Sequence, residues 1–188
     1  MNSREYEIIM NSKKLLKTEV KENIDKAIER LEELANEKNK YALYELATLY
    51  KEGKYVDKNI KKACNLYVFS GELGNFKSFY EAGLIFMRNN EIETAIRFFE
   101  KAKFTPEAFL ELGKITRRKK TAYHKAISYF IQASKLGCPE ADYILAETYI
   151  LGLGTKVDIN KGKYYFSRAR RKGINDYKKI CAPKVSED

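Results

Sequence analysis

The chain has 188 residues, 44% hydrophobic and 33% charged, with a formal net charge of +10. That is the balance of a globular domain with a substantial core, and it excludes an extended disordered chain. No apolar run approaches the ~20 residues that span a bilayer, and three widely spaced cysteines, Cys64, Cys138 and Cys181, exclude a disulfide framework.

With 10 Gly and 3 Pro, the chain is easier to build from helices than from many short strands. Residues 4–19 come first, with Tyr6, Ile9, Met10, Leu16 and Val20 as their apolar positions. They read as a cap helix. Acids and the lack of an apolar leader core at this end point to a cytoplasmic protein without a secretory signal.

From residue 20 the sequence repeats. Val20-Lys-Glu-Asn23-Ile24-Asp-Lys26-Ala27 recurs 36 residues later as Val56-Asp-Lys-Asn59-Ile60-Lys-Lys62-Ala63. Ala27, Ala63, Ala95, Ala126 and Gly162 each open an apolar helical stripe, and Leu34, Ser70, Ala102, Ala133 and Ala169 follow seven residues on. Gly74, Gly137 and Gly173 then mark helices closed by a left-handed cap.

A second kind of helix alternates with the first: Ala42 to Tyr50, Ser78 to Phe86, Ala108 to Thr116 and Ala141 to Tyr149. Its pattern is small-x-aromatic-x-apolar-small-x-x-aromatic, which sets one packed face at helical spacing. The starts lie 36, 30 and 33 residues apart, so the middle turns are shortened. Gly53 to Asp57 and Gly152 to Asp158 read as long glycine turns ending on a capping Asp, Asn89-Asn90 as a briefer one. Thr105-Pro106 reads as cap and first residue of the third such helix.

This constellation resembles the Sel1-like repeat family, a relative of tetratricopeptide repeats. Ala141 to Gly173 carries it best, through Gly152, Gly154, Asp158, Tyr165, Phe166, Ala169 and Gly173, and Ala42 to Gly74 comes second. The two units between are shorter and more like tetratricopeptide units, and the paired cysteines of some members are absent. The resemblance implies an all-α fold, an α-solenoid of helix–turn–helix repeats with diverged terminal cap helices. Along one helical-repeat domain it sets a cap at 4–19 and repeats at about 6–41, 42–77, 78–107, 108–140 and 141–176. A C-terminal cap at 177–183 and a tail at 184–188 complete the chain.

The resemblance also implies that the first helix of each pair lines a concave side. The inward column is then Glu45, Glu81, Glu111 and Ile144, followed by Leu49, Ile85, Ile115 and Thr148. Acids flanked by apolar residues suit a basic, apolar peptide. The alternative is that the second set is core.

The charge is one-sided. Residues 113–188 hold seventeen Lys/Arg against seven acids, the whole net excess. One cluster is Arg117, Arg118, Lys119 and Lys120, flanked by Lys114 and Lys125. The other is Arg168, Arg170, Arg171 and Lys172, continued by Lys178, Lys179 and Lys184. Such a field attracts nucleic acid, an anionic membrane surface or an acidic protein; the alternative is a solvated surface.

Little else carries chemistry. The single histidine, His124, sits beside Tyr123 and Lys125 as a surface residue, and no HExxH or CxxC is present. Gly152-Leu-Gly154 follows a helix and lacks a Gly-Lys-Ser/Thr ending, so it reads as a repeat turn. Aromatics fall on packing columns, with Tyr164 and Tyr165 the best candidates for stacking on a ligand. No catalytic residue, cofactor or metal is expected. The chain reads as a protein-binding scaffold or adaptor, with a nucleic acid or acidic partner on the basic half as the alternative.

Overall fold

The computed structural model describes residues 3–102 and 104–174. The expected C-terminal cap at 177–183, with Cys181, and the tail at 184–188 lie outside the described residues. Among those described there are ten α-helices and no strand. They are α1 (Ser3–Leu16), α2 (Lys21–Asn36), α3 (Lys40–Glu52), α4 (Ile60–Glu72), α5 (Phe76–Arg88), α6 (Ile92–Lys101), α7 (Pro106–Arg117), α8 (Tyr123–Lys135), α9 (Pro139–Leu151) and α10 (Ile159–Arg171). A short 3-10 turn, Lys120–Ala122, leads into α8. The chain divides into two compact units, Met1–Lys103 with α1 to α6 and Phe104–Asp188 with α7 to α10.

Within each unit, helices pair in sequence order, α1 with α2, α3 with α4, α5 with α6, then α7 with α8 and α9 with α10. Local chemistry sets the ends. Asn39 opens α3 by accepting from the Tyr41 and Ala42 amides, and Gly53 closes it at φ 70 with its N–H on the Leu49 carbonyl. Gly152 closes α9 in the same left-handed conformation, at φ 68. There a side chain other than glycine is strained.

The next cap corrects one expectation. Asp158 caps α10 through the Lys161 amide as anticipated. In the earlier turn Asn59, not Asp57, caps α4 through the Lys62 amide. Both caps stand six residues past the left-handed glycine, so the turn geometry selects Asn59 and leaves Asp57 exposed in the loop.

The small residues of the two helical patterns let helices approach closely. A Cβ on Gly83 of α5 would stand 2.6 Å from the Phe99 ring of α6, and one on Gly113 of α7 would stand 2.5 Å from the Phe130 ring of α8. Phe99 and Phe130 are each 1% exposed. Burying a side chain of that size stabilises by ~1.5–3 kcal/mol. The first unit packs Leu31, Leu34, Leu46 and Leu49 in one cluster and Tyr67, Ala82 and Ile85 in another, and the second packs Leu110, Ala133, Ala141 and Leu145 around Phe130.

A lysine bracket recurs under both long turns. Lys62 reaches back from α4 over the Tyr50 ring at 4.0 Å and donates to its hydroxyl, and Lys161 sits 5.3 Å over Tyr149. Cation and ring hold the two helices of one repeat together at the turn.

Candidate functional site

The expected inner column separates into two chemistries. Its acids are half-buried and already paired. Glu45 accepts from Lys13 of α1 at 2.8 Å, and Glu81 accepts from Lys51 of α3 at 2.9 Å. In the second unit Lys114 binds Glu111 of its own helix at 3.0 Å and Glu140 of α9 at 2.9 Å. Burial opposes the Lys114 charge, but the hydrogen bonds it donates to Glu140 and Glu111 outweigh that and hold its pKa above the ordinary value. Consecutive first helices are thus stitched by lysine–glutamate pairs along one face of each unit.

The apolar members of the column are core. Leu49, Ile85, Ile115, Ile144 and Thr148 are all buried, at 9% exposure or less. The reason is positional. Each first helix is covered by its own second helix and by a neighbouring pair, so these positions point into the stack. Thr148 spends its hydroxyl on the Ile144 carbonyl of its own helix. All five are therefore shielded from solvent within the described units.

Half-exposed groups that remain on this face are Tyr44, Thr48, Glu45, Glu81 and Leu84 in the first unit, and Glu111, Tyr143 and Glu147 in the second. Tyr44 lies 5.5 Å from the Tyr67 ring, and burial raises its pKa. Tyr67 is fully buried, shares a 2.9 Å hydrogen bond with Thr48, and has its pKa pushed up by that burial. The Thr48 and Lys51 partners were not legible as such, because sequence spacing does not reveal contacts 19 and 30 residues apart.

The basic clusters do not meet. Arg117, Arg118 and Lys119 lie at the α7–α8 turn, and Gly154 of the α9–α10 turn packs on Tyr123 at that same end. Arg168 and Lys172 reach the Ser134 and Gly137 carbonyls at the other end of α8. A 13-residue helix separates the two by ~20 Å.

Several of the cations have internal work. Besides Lys114, Arg117 stands 3.9 Å from Glu147 and 5.9 Å from the Phe130 ring. Asp142, fully buried in α9, accepts from the Ser134 hydroxyl at 2.6 Å and pairs with Arg168 at 3.5 Å and Lys172 at 3.4 Å. Arg118, Lys119, Arg170 and Arg171 are exposed, and the side chain of Lys120 lies outside the described residues.

For the other chemistry, His124 is exposed, and no group of His, Cys, Asp and Glu that would hold a metal occurs among the described residues. Burial raises the pKa of both Cys64 and Cys138, which keeps them as weakly reactive thiols. Among the described residues no helix is long and apolar enough to cross a membrane.

Comparison with known proteins follows the same repeat. A family model described as Sel1 repeat matches residues 40–75, 72–103, 111–138 and 139–174. Over 78 residues, 41% of the chain, the sequence is 31% identical to chitin synthase regulatory factor 4 of Schizosaccharomyces pombe, and that stretch is 12% of the yeast protein. A Sel1 repeat protein from Oxalobacter formigenes superposes with a TM-score of 0.66 at 25% identity, over 72% of this chain and 59% of that one. The protein c5321, a protective antigen present in uropathogenic Escherichia coli strains, superposes with a TM-score of 0.71 at 22% identity, over 78% of this chain and 33% of its own. That last likeness is one of fold. None of these matches carries the nucleic-acid reading.

Proposed function

This chain belongs to the Sel1 repeat family, and from that premise we propose that it is a non-catalytic scaffold that binds a peptide or another protein. Sel1 repeat proteins generally mediate protein–protein interaction, and their fold typically serves as such a scaffold. The surface we assign is the half-exposed face of α3 and α5 and, separately, that of α7 and α9.

The observation that carries this assignment is the row of fixed carboxylates. Glu81, with 14% of its side chain exposed, is held by Lys51, and Glu45 by Lys13. Pairs of this kind add at most ~1 kcal/mol to stability. What they provide is geometry: carboxylates at set positions beside tyrosine rings. A partner lysine or arginine replaces the internal lysine, while its apolar groups rest on Tyr44 and Leu84. The partner that fits is a segment of basic and apolar character. The cytoplasm, where thiols such as Cys64 and Cys138 stay reduced, is the compartment this reading expects.

The test is a paired capture with the full chain and its Glu45→Lys/Glu81→Lys variant, with circular dichroism to show that both are folded. A protein retained by the first and reduced at least ~tenfold with the second supports the assignment. Equal retention removes it.

A further inference from the structure

The two long turns share one backbone and carry opposite surfaces. Each leaves its first helix through a left-handed glycine, Gly53 at φ 70 or Gly152 at φ 68. Each is closed by the same hydrogen bond, from the Asn59 amide to the Tyr50 carbonyl at 2.9 Å and from the Asp158 amide to the Tyr149 carbonyl at 2.8 Å. In the α3–α4 turn Glu52, Lys54, Asp57 and Lys58 are all exposed, two acids against two lysines. Their equivalents in the α9–α10 turn are Leu151, Leu153, Lys156 and Val157. Leu151 is 50% exposed and Val157 60%, and Ile159, the first residue of α10, is 45% exposed where its equivalent Ile60 is more covered. Aliphatic groups set on one tip lose free energy in water, and the first turn shows that the same backbone accepts charged residues there.

The cations around this tip have no acids beside them. Gly154 has no room for a Cβ against Tyr123, which seats the turn next to the α7–α8 turn and its Arg118 and Lys119. No Asp or Glu occurs from residue 112 to 139, and only Asp158 from 148 to 175. Asp158 is engaged in capping α10 and in pairing with Lys161. Arg118, Lys119 and Lys156 are exposed, and among the described residues none of them is in an ion pair. In the first unit, by contrast, Lys54 of the α3–α4 turn pairs with Glu19 of the α1–α2 turn at 3.8 Å.

We propose that this end of the second unit docks on an anionic lipid surface, apart from the inner faces assigned above. Leu151, Val157 and Ile159 enter the boundary of headgroups and acyl chains, and Arg118, Lys119 and Lys156 meet the negative headgroups. The placement of the apolar groups selects lipid over a protein partner. They stand at the ends of two paired helices and in the loop between, and a bilayer takes up such a tip without a matching cavity. The chain's own following residues do not begin here, because α10 carries the chain ~20 Å away from this end.

The chain has no tryptophan, so a single one reports from where it is placed. Val157→Trp and, at the equivalent position of the first turn, Lys58→Trp are made in the full chain, both folded by circular dichroism. The probes are vesicles of equal parts phosphatidylcholine and phosphatidylserine, and vesicles of phosphatidylcholine alone. Emission from Val157→Trp is expected to shift to the blue on the mixed vesicles only, and that from Lys58→Trp to shift less. In co-sedimentation the unsubstituted chain is expected to bind the mixed vesicles, with an affinity that falls as salt is added. Arg118→Gln/Lys119→Gln/Lys156→Gln and Leu151→Ser/Val157→Ser are each expected to weaken that binding at least ~tenfold. The serine pair leaves the net charge untouched, so it separates insertion of the tip from attraction of a basic chain as a whole. Equal shifts from the two tryptophans, or binding unaltered by the serine pair, overturn the proposal. Failure to bind the mixed vesicles also overturns it and returns the tip to a protein partner. Val157→Trp emission that is already blue in the free chain and unmoved by vesicles contradicts it too, because the tip is then covered by the chain itself. A blue shift that follows chain concentration without lipid assigns the tip to a second copy instead.

Discussion

At the seam of α4 and α5 in the first unit, Gly71 lies against the Phe79 ring; at the equivalent seam of α8 and α9 in the second, Ser134 meets the carboxylate of Asp142. The same pair of positions is filled in one place by an aromatic ring on glycine, beside a buried Ser70–Ser78 hydrogen bond, and in the other by a buried carboxylate network. The second solution draws in Arg168 and Lys172 from α10. Part of the basic excess of residues 113–188 is therefore structural, and the charge available to a partner is smaller than the net count suggests.

The largest expected effect breaks the polar seam. Asp142→Ala leaves Arg168 and Lys172 without their buried acceptor and is expected to cost about 3 kcal/mol in urea unfolding. A cost below about 1 kcal/mol would show that the network is incidental. Next comes the glycine–ring contact. Gly71→Ala forces a methyl into the Phe79 ring and is expected to cost about 2 kcal/mol. Ser134→Ala at the equivalent position removes one hydrogen bond at about 1 kcal/mol. Should the alanine at 71 be neutral, the contrast between the two seams fails.

Alkaline titration sharpens the comparison further. The buried Tyr67 phenol has its pKa raised above 10.0, so the unfolded chain ionises first and stability falls as pH rises past that value. The Lys114 ammonium, raised above 10.5, contributes fully below that pH, and its contribution is lost as pH climbs through the folded pKa. Unfolding midpoints measured between about pH 8 and 12 are expected to be level up to about pH 10 and then to decline. Tyr67→Phe should reduce the decline, and an unchanged profile would remove Tyr67 as its source. The smallest effect is at the inner face. Lys51→Ala is expected to cost no more than ~1 kcal/mol, because its pair with Glu81 is partly solvated. A larger loss would make the pair a structural strut instead of part of a binding surface.

Much of this fold is legible in the sequence because helix periodicity and cap chemistry are local. The small-residue columns, the left-handed glycines at 53, 74, 137, 152 and 173, and Pro106 as the first residue of α7 all fall where a neighbour-by-neighbour reading puts them. The cap of α4 escapes it, because the choice of Asn59 over Asp57 depends on how the whole turn closes. The surface is less legible still. Leu49, Ile85, Ile115, Ile144 and Thr148 sit at positions a partner-facing column would use, but their burial depends on which neighbours cover each helix. Arg170 and Arg168 look alike in sequence, and only the packing of α10 on α9 and α8 separates an exposed cation from one bound to Asp142.

The central claim is that partner proteins meet the first helices of the repeats. Site-specific photo-cross-linking in the full chain tests it most directly, with a benzophenone residue placed at Leu84 or Glu147 on those helices and at Lys61 or Lys125 on the second helices. A discrete adduct with a partner is expected from Leu84 or Glu147, and none from Lys61 or Lys125. Adducts confined to Lys61 and Lys125 would contradict it.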